Sequence, residues 1–438
     1  MKKTLSLLII GLLLWNCTAT DKDAAYRLPE VQDVVIYQIN PRVYAAENSF
    51  QAILPHLEEI KDLGCNIVWF MPIYPIGEEK SKNSPYSVKD YYGVNPEFGT
   101  LDDFKTLISE AHKIGLGVIV DWVPNHTAWD NPWTENEDWY TRDSLGNIIY
   151  PPDTDWTDVA ELNFDNQEMR QAMISAMKYW VTEVGVDGFR CDAIDHVPDD
   201  FLKQCNDSLR AIPDRKLLLL AESSDKKHFR LGFDLNYGWE FAVQMRKVYR
   251  EGEPASSLFT LNYEEYEGVP KGKMKMRFTT NHDEAAKHSP VEEWCSERGS
   301  MSAFATILFF PDVPLVYGSQ ETGYPDPVNF FQYTEIEWDD NPELRKEYKQ
   351  LLTIHNEHGA LRKGELIPYP DEHVLLFERK SKEGEYIIII NVRDAVMNID
   401  LPAHIANGQF TNLYTDRYLS VNQTLRLQPY EYLILKRY

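Results

Sequence analysis

Short apolar runs alternate with amphipathic stretches along most of this chain. Residues 34–39 (VVIYQI), 66–71 (NIVWFM), 116–123, 186–191 and 216–221 are nearly continuous in apolar side chains and only six to eight residues long, the length and texture of buried strands. Between them, residues 50–63, 101–114, 167–184 and 201–211 carry apolar positions at helical spacing, and the first three end at Gly64, Gly115 and Gly185, the residue that best closes a helix. The alternation continues through strands expected at 230–235, 274–279 and 313–317. Continuous apolar strands separated by helices predict a parallel sheet covered on both faces. Eight such units in about 330 residues predict a closed (β/α)8 TIM barrel over 33–361.

One connection breaks the rhythm. Residues 127–165 are rich in Trp, Asp, Asn and Pro and show little periodicity. A segment of this length predicts a small subdomain inserted after the third strand, overhanging the mouth of the barrel. After residue 361 the texture changes again. Short strands are expected at 374–377, 386–392, 398–401, 409–414 and 430–435, with turns at 382–385 and Asn407-Gly408, which predicts a separate C-terminal antiparallel β-sandwich domain over 362–438.

The first residues carry a different signal. Lys2 and Lys3 precede an apolar run at 5–15 that is too short to span a bilayer and ends at Asn16-Cys17 before a polar stretch. This resembles a bacterial lipoprotein signal over residues 1–17, with Cys17 as the lipidated residue. It implies export and a membrane-anchored protein in the periplasm or at the cell surface. An ordinary secreted protein is the competing reading. The other four cysteines have no CxxC spacing, so zinc and redox motifs are absent and buried free thiols are expected.

The 44 basic and 69 acidic residues leave a net charge of −25, which repels phosphate backbones and argues against nucleic acid as a partner. Aromatic residues make up 13% of the chain, a composition suited to stacking on flat, weakly polar ligands.

Polar residues at the C-terminal ends of barrel strands are where barrel chemistry resides. The third expected strand ends in Asp121-Trp122-Val123-Pro124-Asn125-His126, the fourth in Gly188-Phe189-Arg190-Cys191-Asp192 with His196 beyond, the fifth in Glu222, and the seventh in Asn281-His282-Asp283. An aspartate at a strand end is more often a helix cap than a catalyst. Glu222 stands apart: it follows four leucines and Ala221, where a carboxylate is costly to desolvate unless used, and where burial raises its pKa as a general acid requires. Arg190, two residues before Asp192, points to the same side of its strand.

These four segments, in this order, resemble the α-amylase family of glycoside hydrolases. So do Pro85-Tyr86-Ser87-Val88-Lys89-Asp90-Tyr91, Phe98-Gly99-Thr100-Leu101 and the exit of the eighth strand at residues 313–321. The resemblance implies a retaining hydrolase of α-1,4-linked glucans or maltooligosaccharides acting by double displacement. It gives Asp192 as nucleophile, Glu222 as general acid/base and Asp283 as the third carboxylate. Tyr86, His126, Arg190 and His282 follow as substrate-binding residues. It also implies calcium between barrel and insertion, with Asn125 and the backbone of His196 as ligands and Asp155, Asp158 or Glu161 completing the shell; a hydrogen-bonded loop is the competing reading. Trp129, Trp133, Trp139 and Trp156 are candidate sugar platforms or packing residues. Asp195 stands where many endo-acting relatives have lysine. Transglycosylation with the same residues, and glycan binding without catalysis, are the rival functions.

Overall fold

The computed structural model describes residues 26–437; the signal expected at 1–17, including Cys17, lies outside them. Eight parallel strands close into a barrel: β1 Ile36–Ile39, β2 Ile67–Phe70, β3 Gly117–Trp122, β4 Gly188–Cys191, β5 Leu218–Ala221, β6 Leu235–Tyr237, β7 Met274–Phe278 and β8 Val313–Tyr317. Each pairs with its neighbours in sequence, and β1 closes on β8 through Ile36 opposite Leu315. This is the expected (β/α)8 barrel.

Period-two alternation divides each strand between two cores. Ile36, Trp69, Ile119, Leu218, Leu220, Met276 and Leu315 fill the barrel interior. Val68, Val118, Val120, Phe189, Leu219 and Val316 face the surrounding helices. A side chain's parity therefore decides whether it can reach the mouth. Gly188 is needed where β4 and β5 pack most closely, because a Cβ there would sit 1.9 Å from the Leu218 carbonyl oxygen. The helix Leu101–Lys113 starts on a capping box in which Thr100 and Asp103 satisfy each other's backbone N–H groups. The helix Gln167–Tyr179 starts on Asn166, whose side chain accepts from two backbone amides.

The sixth strand is displaced from its expected place at 230–235. Lys227–Arg230 is a short helix and Gly232 turns the chain at φ +105°, so the extended segment begins only at Leu235. The insertion contains an antiparallel ribbon, His126–Ala128 against Val159–Glu161, with single-turn helices between. It packs on the barrel through Trp133, which sits against Tyr91 and Trp139.

The C-terminal domain is a six-stranded antiparallel sheet facing a two-stranded ribbon, Met397–Asp400 with Thr424–Leu427, so the second layer of the sandwich is small. Three strands escaped the sequence reading: Glu365–Tyr369, Arg417–Ser420 and Thr424–Leu427. All three are edge strands of four or five residues with at most one buried side chain each, too short and too exposed to stand out from loop. One face of the sheet meets the barrel helices where Phe377 packs on Phe259 and Phe310. Cys65, Cys191 and Cys205 are buried free thiols as expected, whereas Cys295 is exposed.

Candidate active site

Arg190 is the centre of the mouth. Its side chain is fully buried, and three carboxylates converge on it. Nη1 donates to Asp121 Oδ1 at 2.8 Å and to Asp192 Oδ1 at 2.7 Å, and Nε donates to the Tyr237 hydroxyl at 3.2 Å. Nη2 lies 2.6 Å from Glu222 Oε1, but without the alignment of a hydrogen bond. Glu222 is instead tethered by its other oxygen, which accepts from the backbone N–H of Ala193 at 2.7 Å. Ala193 adopts the left-handed conformation, φ +44°, immediately after Asp192, and this turns its amide toward Glu222.

Three anions cannot all be stable beside one buried cation. Burial lifts Glu222 well above the ordinary carboxylate range; Arg190 opposes that, while Asp192 and Asp283 add to it. Burial also raises Asp121, to about 7, and Asp192, with Arg190 opposing in both. Burial works against the charge of Arg190, but Asp121 and Glu222 outweigh it and hold the guanidinium protonated. The geometry distributes the proton: Asp192 has an aligned charge-assisted hydrogen bond to Arg190 and Glu222 does not, so Glu222 is the better proton holder.

A polar relay crosses the site from the first strand. Gln38 Nε2 faces His282 Nδ1 at 2.8 Å, which leaves the imidazole proton on Nε2, 2.7 Å from the Tyr86 hydroxyl. That hydroxyl in turn donates to Asp121 Oδ2 at 3.3 Å. Burial lowers the pKa of both His282 and His126 to about 4, so both rings are neutral at physiological pH. Asp283, on the first turn after β7, keeps about a third of its side chain exposed beside them.

A cavity of about 350 Å³ opens here, and Tyr86, His126, Asp192, Glu222, His282 and Asp283 all line it. Arg190 lies beneath, within 5.8 Å of the Tyr86 ring centre. The structure thus brings together every sequence-derived residue of the sugar site. Of the four candidate platforms only Trp156 lines the cavity; Trp129 lies under Lys80, and Trp133 and Trp139 pack together. Asp121, Lys82 and Phe330 belong to the site although the sequence assigned them no role. Asp121 had a signal, since it shares barrel-interior parity with Ile119. Lys82 and Phe330 sit on irregular loops that carry no pattern.

The residues expected to hold calcium are mixed in their suitability. Asn125 Oδ1 is buried without a partner, which supplies one oxygen donor. Asp158, however, lies 3.4 Å from Lys82 Nζ, a fixed cation where a metal ligand was expected, and the His196 ring stands against Trp156. Among the described residues no three acidic, His or Cys side chains gather as a metal site; the expected set draws instead on an amide, a backbone carbonyl and one carboxylate.

Fold and site together define a (β/α)8-barrel enzyme with a carboxylate-rich mouth. The catalytic-domain model of alpha-amylase matches residues 45–363, and the chain belongs to that family of glycoside hydrolases. It is 26% identical over 399 residues to alpha-amylase MalA of Haloarcula japonica, covering 85% of this chain but 57% of the relative's length. It is 24% identical to alpha-amylase 3 of Dictyoglomus thermophilum, covering 94% of each. Among solved structures, a noncanonic maltogenic alpha-amylase, AmyB of Thermotoga neapolitana, superposes with a TM-score of 0.85 at 27% identity, covering 93% of this chain and 99% of that one. An alpha-amylase from Lactobacillus plantarum gives 0.84, also at 27% identity.

Proposed function

We propose that this protein is a retaining hydrolase of α-1,4-linked glucans or maltooligosaccharides. The observation that carries the reading is the single guanidinium spanning Asp192 and Glu222 at 2.7 and 2.6 Å, with an aligned hydrogen bond only to the first. Contacts from one guanidinium bring both carboxyls to the same wall of one cavity, the close pairing that a retaining mechanism uses. Asp192, kept ionised by Arg190, attacks the anomeric carbon while Glu222 gives its proton to the departing oxygen. The chain beyond leaves and a glycosyl–Asp192 ester remains. Glu222, now a base, takes a proton from water, whose oxygen attacks the same carbon and frees Asp192.

Asp283 faces the same cavity, placed to accept hydrogen bonds from sugar hydroxyls as the ring flattens. Neutral His126 and His282 line the same cavity without bringing a competing charge, and the Tyr86 ring offers an apolar platform. The names of the amylase relatives support the substrate class. Transfer to a second sugar would use the same intermediate, and lengthened products from maltotriose would reveal it.

Proton NMR of the first turnovers on maltotriose tests the reading. The product should appear as the α-anomer and then mutarotate; a β-anomer formed first would overturn the double displacement. For the N-terminus we propose lipidation at Cys17. Cys17→Ala should move the protein from the membrane to the soluble fraction, and an unchanged membrane fraction would refute the anchor.

A further inference from the structure

The loop before Tyr86 is tied down on both sides of the cavity. On one side Asn83 Nδ2 donates to the Phe331 carbonyl at 2.6 Å. The buried Arg42 braces that junction: its Nη1 donates to the carbonyls of Asn83 and Phe330 at 3.2 and 3.1 Å, and its Nη2 to Asn83 Oδ1 at 3.3 Å. Glu97 fixes Arg42 in turn through two contacts of 2.8 Å. On the other side Lys82 Nζ donates to the Asp155 carbonyl at 3.0 Å and lies 3.4 Å from Asp158 Oδ1, so it crosses to the insertion. The insertion, residues 82–83 and residues 330–331 therefore form one joined rim.

Past Glu222 and Asp283 the cavity continues into open depressions. A depression lined by Asp195, Glu222, Ser223, Trp239 and Glu240 adjoins it through Glu222. A second, lined by Asp283, Lys287, Phe331 and Trp239, adjoins it through Asp283. The two meet at Trp239. Glu222 donates its proton to the leaving group, so the leaving chain lies on this open side. The joined rim borders the remainder of the cavity, where a sugar held on Asp192 would extend, and its Phe331 also flanks the second depression.

We infer that the Lys82–Asn83 latch makes the sugar-retaining side of the cleft a blind end, so that the enzyme works from the non-reducing ends of α-glucan chains and releases short products. The inference rests on the function proposed above. A chain threading past residues 82–83 would have to displace three bonds from Arg42 and the Lys82 bridge. A free chain end needs no such opening, and the Lys82 ammonium and Asp158 carboxylate at the rim are placed to contact its terminal hydroxyls.

The experiment compares maltoheptaose with maltoheptaose whose non-reducing glucose carries a 4,6-O-acetal. The wild-type chain should cleave the free oligosaccharide at least about 100-fold faster than the blocked one, with one short product dominant from the first time point. Lys82→Ala/Asn83→Ala should raise the blocked-to-free rate ratio by about 10-fold or more. Should that double variant fold poorly, Lys82→Met alone should raise the ratio in the same direction. Equal wild-type rates on the two substrates, or a ratio unmoved in a folded variant, would overturn the latch while leaving the hydrolase reading intact. Cleavage of neither substrate would remove the hydrolase reading and the latch with it.

Discussion

Arg190 and Arg277 are both buried guanidinium groups on strands of one barrel, and they face opposite ways. Arg190, at an interior position of β4, meets three carboxylates, two of them open to the cavity: the side chains of Asp192 and Glu222 are 12% and 20% exposed, and Asp121 is fully buried. Arg277, on β7, points out among the helices. It pairs with Asp312 at 2.9 Å and Glu265 at 2.5 Å, 0% and 7% exposed, and lies 3.8 Å from the centre of the Phe241 ring. Burial raises the pKa of Glu265, with Arg277 opposing, and lowers neighbouring Lys275 to about 8, so perturbed titration alone does not distinguish the two places. Access and charge count do. At Arg277 two acids face one arginine, with a lysine close by. At Arg190 the third acid leaves a negative surplus that a proton must offset, and that proton faces the cavity.

Matched substitutions test this contrast. Asp192→Asn should lower kcat by about 10⁴-fold or more, while Asp312→Asn, its counterpart at the other arginine, should leave kcat within about twofold in the folded fraction. Comparable losses in the two variants would erase the distinction. Arg277→Met strands two buried carboxylates and should cost about 3–5 kcal/mol of stability, read by denaturant unfolding, with kcat on the surviving enzyme near that of the parent. A smaller effect belongs to the neutral histidines of the mouth. The folded pKa of His282 lies near 4 against 6.5 for the free side chain, so on acidification the unfolded chain takes up the proton first. Stability from this group is full above about pH 6.5 and is lost as pH falls toward 4. His282→Gln should lack that loss, and its unfolding free energy should gain on the parent's by up to about 3 kcal/mol across the window; parallel pH profiles would contradict the assignment.

Much of the mouth is legible in the sequence because barrel parity is local. Asp192 follows Arg190 by two, Glu222 closes a leucine run, and each position inherits its direction from its strand. The same logic fails where side chains are placed by distant partners. Asn83 meets Phe331 across 248 positions, and Arg42 meets Phe330 across 288, with no periodicity in either loop to announce it. The sixth strand misleads for a related reason: Phe229, Leu231 and Phe233 are apolar because a short helix and a turn bury part of them, not because they are extended. Lys82, distant in sequence, reaches Asp158, a contact that no local pattern around Asp158 announces.

The amide of Ala193 has a consequence for engineering. It belongs to the main chain, so at position 193 only proline, which lacks the N–H, would remove the bond it gives to Glu222. What can be altered is the twist that aims it. Glycine at position 193 would adopt the left-handed shape freely, but it would also make the opposite turn easy, loosening the proton carrier while sparing every polar group around it.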